Sequence, residues 1–595
     1  MDSGRVECPH AEQCGGCALI GHAVAEQHRV KERRLEAAVG TYAALSTFTR
    51  DPIRGTDDVT RYRTRTKLMI DAGGAIGLYA PNSHSVIDIP DCKVMSETTR
   101  ATLAALRPLL LGSGVEAVDV REVEDREVRQ QLVTLIAGVA AVERARELAK
   151  DVAALPNVAS VSVSARDRGA VQLLGRDLEV RSGEAFLRDR MHPSLPFVHA
   201  SPGSFVQAHR GQAHALQSHV IDLLQRALGD LSSTRIVELH CGEGGLGFRL
   251  AQLGANVLMV DSFEPAIARL REAAAAQQLQ VEAWAHDATD ALTRLHETRQ
   301  PVDAVILDPP RRGVPTQLRR LLADLKPKAV VYVSCGPESF ARDLSHLAWL
   351  GYTATSITPF DLIPLSAEIE SVALLVPSPP PALAVLYEDE QVLIVDKPPH
   401  LPTTPQGEHT VSLLEVARLQ FREPALTAVH RLDAGTSGVC ILARKPEHVQ
   451  AWSQALAAGE KKYQALVRGI PRDKGTIKRA LKDGGRMLDA RTRYKRIEVV
   501  AGHSLVIATP DEGRTHQIRR HLASIKHAVL GDSRYGDAKS NRHLEHKHGL
   551  DRTFLHCAKI TLVAPTTGTE RTLENELPGD LQAVLTSMRG PRVVP

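Results

Sequence analysis

RIVELHCGEGGLGFRLA, residues 235–251, passes from an apolar run through clustered glycines into a helical pattern. That order predicts a buried strand, a tight turn, and a helix whose first amides face a ligand site. Gly242, Gly244 and Gly247 satisfy G-x-G-x-x-G, and Asp261 ends the next apolar run. Glycines let the backbone approach a ligand, and the carboxylate accepts ribose hydroxyls. NAD, FAD and S-adenosylmethionine all suit such a turn, and so does a structural turn with no ligand. Upstream, Gln212–Leu228 places Leu216, Val220, Leu223, Leu224 and Ala227 on one helical face. Downstream, NVLMV, DAVIL, AVVYV and SVALLV read as further buried parallel strands, separated by helical stretches such as Pro265–Gln277. Residues 203–376 are therefore expected to form an open, doubly wound α/β sheet.

The stretch V-P-S-P-P-P-A, with Pro377, Pro379, Pro380 and Pro381, predicts a stiff spacer over 377–384. Beyond it QVLIVDK, GVCILAR, KYQALVRG and SLVIATP mix with helical segments, so residues 385–595 are expected to be α+β. Residues 1–100 hold a cysteine group and the start of a β-rich central domain, which 101–202 continue as a candidate RNA-binding domain. No internal repeat is present.

The chain has 595 residues, room for about four domains. With 43% hydrophobic and 24% charged residues, wholesale disorder, collagen and coiled coil are excluded. No apolar run approaches the roughly 18 residues that cross a bilayer. The start, MDSGRVECPH, has neither the basic end nor the apolar stretch of a signal peptide. A cytoplasmic protein with no membrane partner is expected. Net charge is +3, but residues 381–595 hold 32 Lys and Arg against 24 Asp and Glu. A basic C-terminal third suits a polyanion, and equally an ordinary solvated surface.

Three residues carry chemistry at the sheet's ligand edge. Asp308 ends a strand in LDPPRRG, Cys335 ends the next in VYVSCGP, and Glu370 precedes the last in FDLIPLSAEIESVALL. A thiol at that edge, ahead of a Gly-Pro turn, is a candidate nucleophile, and the carboxylate a candidate base. Together with CPHAEQCGGC, YRTRTK, GLYAPNSHSVIDIPDC and SPGSFVQAH, these motifs resemble the bacterial RNA (uracil-5-)-methyltransferases across residues 8–376. The resemblance implies a Rossmann-like S-adenosylmethionine domain with Cys335 as nucleophile and Glu370 as base. It also implies that Gln207, His240, Gly242, Gly245, Asp261 and Asp308 serve the cofactor or active site. His240, His209, Gly336 and Glu368 depart from the family's usual residues, and Glu368 is expected to share a strand side with Glu370 and raise its pKa.

Cys8, Cys14 and Cys17 are bunched around a C-G-G-C loop, and Cys92 can close a four-thiolate set. Spacing leaves zinc and an iron–sulfur cluster both open. The resemblance implies a [4Fe–4S] cluster with a structural or RNA-placing role. It also leaves no room, with seven residues before Cys8, for the family's usual N-terminal RNA-binding barrel, so the basic C-terminal unit is expected to help hold RNA.

AVHRLDAGTSGVCILAR contains Asp433 in a turn. With YEDEQVLIVDKPPHLPT, KKYQALVRG, DEGRTHQIRRHL, LGDSRYGD and LHCAKI it resembles the RluA-type pseudouridine synthases over residues 385–565. The resemblance implies that Asp433 attacks the sugar or takes its carbon-2 proton. Arg519 rather than Arg514 pairs with it, Tyr463 stacks on the extruded base and is a candidate to handle its proton, and Arg431 fills the vacated stack. Lys478–Arg496 has eight basic residues around Asp483 and Asp489 with Tyr494 interleaved, which suits looped RNA as well as a solvated hairpin. His543, His546 and His548 read as an exposed loop rather than a metal site.

The expected protein is a fusion: a uridine 5-methyltransferase tethered to a pseudouridine synthase. By resemblance it acts on 23S rRNA, with S-adenosylmethionine and no obligate protein partner. The competing readings are a pseudouridine synthase with an inactive docking platform and a non-catalytic ribosome-assembly factor. An NAD dehydrogenase would leave Cys335 and Glu370 without a joint purpose.

Overall fold

A computed structural model describes residues 5–45, 48–81, 83–167, 173–174, 178–406 and 411–589. The chain divides into two compact units, Met1–Pro380 and Pro381–Pro595. Among the described residues, no helix is long and apolar enough to cross a membrane.

The first unit is mixed α/β and holds two large sheets. The larger has eight strands in the order Thr49–Arg50, Tyr352–Phe360, Glu370–Pro377, Ala329–Ser334, Ala304–Leu307, Arg235–Leu239, Asn256–Asp261 and Val281–Ala285. The last five are mutually parallel, and Glu370–Pro377 runs antiparallel to both its neighbours. Both faces are covered, because successive side chains alternate between two cores. Val237, Leu239, Val305 and Leu307 face one core, and Ile236, Ala304 and Ile306 the other. Helices Arg210–Leu228, Gly245–Gln252 and Glu264–Ala276 cover the second core, and Ala288–Glu297, Thr316–Leu325 and Pro337–Trp349 the first. The doubly wound expectation holds, except that SVALLV, read as a parallel strand, runs antiparallel because it returns along the sheet from Tyr352–Phe360. Three strands lie outside the sequence reading, Thr49–Arg50, Val281–Ala285 and Tyr352–Phe360. Helix Val24–Gly40 also packs Leu35 and Val39 on this sheet rather than on the domain that follows it in sequence.

The second sheet has seven strands, from Arg65–Ile70 to Leu178–Gly183, backed by helices Glu97–Leu110 and Val142–Ala153. It runs unbroken across residue 100.

The Pro381–Pro595 unit is α+β, built on a ten-stranded mixed sheet. Its centre is the parallel pair Ser437–Ala443 and Leu555–Val563, flanked by antiparallel strands including Val392–Lys397, Glu460–Val467 and Arg491–Val500. In Arg491–Val500 the alternation turns Arg491, Arg493 and Lys495 outward and buries Tyr494 at 9% exposure. A Cβ on Gly475 would lie 2.6 Å from the Tyr494 ring, so this tyrosine is core and not the interleaved stacking aromatic of the sequence reading. Residues Ala538–His548 form a helix instead of an exposed loop. His548 Nδ1 lies 2.9 Å from Ser587 Oγ, while the His546 side chain falls outside the described residues.

Candidate active sites

In the first unit the strand Arg235–Leu239 stops at His240, whose φ of 62° is left-handed. Gly244, φ 85°, then caps helix Gly245–Gln252. A Cβ there would meet Met259 Cε at 2.4 Å, so only glycine fits this turn. The Gly242 N–H donates to Asp261 Oδ2 at 3.1 Å and the Phe263 N–H to Oδ1 at 2.9 Å. Asp261 thus ties the turn to the neighbouring strand.

Beside the turn is a cavity of about 170 Å³, lined by Gln207, His240, Gly242, Gly245 and Asp308 among others. Five of the six expected cofactor residues meet there; Asp261, Cys335 and Glu370 are not part of its lining. Glu238, which the sequence reading passed over as part of a strand, also lines it and is buried, with Oε2 lacking a hydrogen-bond partner. Burial first, and Asp308 second, push its pKa up to about 8. Burial lifts Asp308 to about 7.

Cys335 follows Ser334 at the end of its strand and is half-buried. Burial, then Glu370, push its thiol up to about 11, against the pull of Arg311. Glu370 begins the next strand, buried, and burial followed by Asp308 raises its carboxyl well above the usual range. Arg311 bridges the group: it pairs with Glu368 at 3.0 Å, and its charge pulls down the Cys335 thiol. Its backbone carbonyl would sit 2.6 Å from a Cβ on Gly336, so the glycine after the thiol lets the two loops touch. Glu368 lies ahead of the strand rather than on it, yet still raises Glu370. His209 instead caps helix Arg210–Leu228 through Nδ1 and stacks on Tyr62 with ring centroids 4.8 Å apart.

A charge network missed in the sequence fastens the glycine turn to the seven-stranded sheet. Arg121, 3% exposed, donates to both carboxylate oxygens of Glu243 at 2.7 Å and to Asp189 at 3.1 Å. Arg121→Met leaves Glu243 buried beside the cavity without its cation, while Asp189 keeps Arg210 at 2.8 Å. The substitution is expected to cost about 3–5 kcal/mol, read as a lowered urea midpoint.

Cys8, Cys14, Cys17 and Cys92 line one small cavity, and none is in a disulfide. Burial, then Cys92 and Cys14, push Cys17 up to about 12. Among the described residues no group of three or more His, Cys, Asp or Glu forms a ready-made metal-ion site. The four thiols surround a space instead.

In the second unit the His430-Arg431-Leu432-Asp433 turn is pinned from several sides. Thr403 Oγ1 donates to Leu432 O and accepts from Leu432 N, each at 2.9 Å. Buried Lys397 donates to Ala434 O at 3.3 Å, and Arg552 to Gly435 O at 2.9 Å. Asp433 is half-buried and accepts from Arg519 Nη1 at 2.8 Å. Arg519 is fixed in turn by Asp532, wholly buried, through Nε and Nη2 at 2.7 and 2.8 Å. Arg514 is elsewhere, with its Nε 3.4 Å from Asp489 O. Tyr463 is 8% exposed; burial, then Cys557, raise its pKa well above 10, with Asp433 adding to the shift. Arg431 is exposed. His516, inside the H-Q-I-R string, places Nε2 3.7 Å from Asp433 Oδ1 and Nδ1 3.1 Å from the Tyr535 hydroxyl. Neither His516 nor Tyr535 stands out as a single residue in sequence.

Residues 391–524 match the family model described as RNA pseudouridylate synthase, and 207–349 the model described as conserved hypothetical protein 95. Over 388 residues the chain is 27% identical to an uncharacterized RNA methyltransferase of Halalkalibacterium halodurans, covering 62% of this chain and 83% of that protein. The solved tRNA (uracil-54, C5)-methyltransferase of Pyrococcus abyssi shares 24% identity over 61% of this chain and 86% of its own, with a TM-score of 0.49. Human RNA pseudouridylate synthase domain containing 4 shares 24% over 35% of this chain and 93% of its own, with a TM-score of 0.30. The chain thus joins a unit similar to RNA methyltransferases to an RNA pseudouridylate synthase domain, the make-up of a bifunctional RNA-modifying enzyme.

Proposed function

We propose that the chain methylates carbon 5 of one uridine and isomerises another to pseudouridine, both in 23S rRNA. The observation that carries this is that each unit gathers its own reactive group and partners: Cys335 with Glu370 and Arg311, Asp433 with Arg519.

Gln207, His240, Gly242, Gly245, Asp261 and Asp308 would hold S-adenosylmethionine, which when bound supplies an electrophilic methyl group. The partnerless Glu238 oxygen in a cavity with Asp308 suits a cationic guest. In the reaction the Cys335 thiolate adds to carbon 6 of an extruded uracil, making carbon 5 nucleophilic. After methylation, Glu370 takes the carbon-5 proton and the thiolate leaves. A carboxyl with a raised proton affinity is a strong base once ionised.

In the second unit Asp433, oriented by Arg519, attacks the anomeric carbon or removes the carbon-2 proton. The N1–C1′ bond breaks and the freed uracil turns. Carbon 5 bonds to C1′ as Asp433 is released or returns the carbon-2 proton, and carbon 5 gives up its proton while N1 takes one. Tyr463 stacks beneath the uracil; its raised pKa disfavours a phenolate, so its contribution is the ring face. Cys8, Cys14, Cys17 and Cys92 would hold a [4Fe–4S] cluster, with zinc as the alternative. Four reduced thiols around one cavity fit either group, and the uridine chemistry moves no electrons.

The test is to incubate unmodified 23S rRNA with protein and labelled S-adenosylmethionine and map both products. Appearance of 5-methyluridine and pseudouridine at defined positions is expected. Pseudouridine alone would favour the docking-platform reading, and neither product would overturn the proposal.

A further inference from the structure

Helix Val24–Gly40 buries polar residues that no core needs. Gln27 and Lys31 are 1% and 0% exposed, and with Arg34 they fall at i, i+4 and i+7, one stripe of the helix. Burying an ammonium is costly unless it is paired, so its partner indicates its role. All three residues of the stripe reach the same loop, Asp361–Glu368, which leads directly into Glu370.

The contacts run the length of that loop. Lys31 Nζ pairs with Asp361 and donates to Ile363 O at 3.1 Å. His28 Nε2 approaches the other Asp361 oxygen at 3.3 Å. Gln27 Oε1 accepts from Leu365 N at 3.0 Å, while Leu19 N donates to Leu365 O at 2.9 Å. The Tyr62 hydroxyl donates to Pro364 O at 3.0 Å. Arg34 donates to Ala367 O at 3.4 Å and lies 4.0 Å from Glu368. Leu365 itself is fully buried with φ 67°, a left-handed conformation that a leucine keeps only where its surroundings impose it. Its side chain packs in a cluster with Tyr62, Val94, Cys17 and Cys92.

We propose that the Gln27–Lys31–Arg34 stripe positions the methyl-transfer base, holding the Asp361–Glu368 loop so that Glu370 and Glu368 meet Arg311 and Cys335. Lys31 is the pin of this device and a positioning residue, since it touches no reacting atom. The inference rests on Glu370 being the base.

The test compares Lys31→Met, Lys31→Arg and the milder Gln27→Ala in the full chain. Four quantities are read: methyl-transfer kcat at saturating RNA and S-adenosylmethionine, cofactor Kd, pseudouridine formation on the same RNA, and amide hydrogen exchange of residues 361–370. Lys31→Met is expected to lower kcat about 100-fold, the scale of a base displaced by about 1 Å. Cofactor Kd and pseudouridine formation stay within about twofold, and exchange of 361–370 rises. Lys31→Arg is expected to recover to within about tenfold of wild type, and Gln27→Ala to fall between. Unchanged kcat with a still-protected loop would overturn the inference, as would loss of cofactor binding together with methyl transfer. If wild type transfers no methyl group, the functional reading fails. The exchange measurement then decides whether Lys31 holds the loop.

Discussion

Asp433→Asn is expected to abolish pseudouridine formation, by at least about 10³-fold, while leaving 5-methyluridine formation at the wild-type rate. The asparagine keeps the shape but cannot attack a sugar carbon or accept its proton. Loss of the carboxylate does not release its partner, because Arg519 keeps two hydrogen bonds to the buried Asp532. The variant should therefore melt within a few degrees of wild type, and the effect is chemical rather than structural. Asp532→Ala makes the contrast. That carboxylate also accepts from the backbone of Arg534 at 2.9 Å and Tyr535 at 3.0 Å, so its loss unseats both Arg519 and the loop carrying Tyr535. It should lose stability and activity together. Mapping both modified nucleotides on one RNA, with a thermal melt of each variant, checks the pair. Residual pseudouridine in Asp433→Asn at more than a tenth of the wild-type rate would remove Asp433 from the chemistry.

The parts of these sites legible in sequence are those where one residue type does the work at a strand end. Asp308 and Cys335 sit where apolar runs stop, at the edge to which a parallel sheet brings its strand ends, and Glu370 opens an antiparallel strand whose start lies at that same edge. The Arg519–Asp433 pair depended on family likeness, because 86 residues separate the partners and no local pattern joins them. Helix Val24–Gly40 hides its function for a different reason. Its buried face is Gln27, Lys31, Leu35 and Val39, half polar, so no clean apolar stripe marks it. The partners of that face lie more than 300 residues away. Arg121 is similar: with Asp119 alternating against Val118 and Val120 it reads as an outward charge, yet Ala117–Val123 is buried throughout, and the approach of Glu243 and Asp189 explains its burial. Tyr494 was misread in the opposite sense. Basic neighbours suggested a surface, but strand alternation put the tyrosine on the covered side. Burial of charged and aromatic groups is set by tertiary partners that a local window does not contain.

Cys335→Ala and Glu370→Gln should stop methyl transfer at different steps, and that difference is the stronger test of the proposed chemistry. Without the thiol no covalent adduct can form, so Cys335→Ala is expected to lose activity by at least about 10³-fold and leave RNA unattached. Glu370→Gln still allows addition and methylation but lacks the group that removes the carbon-5 proton. Methylated RNA should then stay bonded to Cys335 and run with the protein on a denaturing gel. The pH dependence follows from the thiol. Addition needs the thiolate, and burial holds the thiol near 11, so at neutral pH the ionised fraction is only about 10⁻⁴. Adduct formation should rise close to tenfold per pH unit through the neutral range, slowing only as the thiol's own pKa is approached. The Glu370 carboxylate is the second cause of that elevation, and glutamine carries no charge at any pH. The Glu370→Gln variant should accordingly form adduct with its pH profile displaced toward acid. A profile displaced toward alkali, or adduct formed equally by Cys335→Ala, would mean that another nucleophile opens the reaction. Asp308, whose charge raises both Glu370 and the Cys335 thiol, would then need a different purpose from tuning this site.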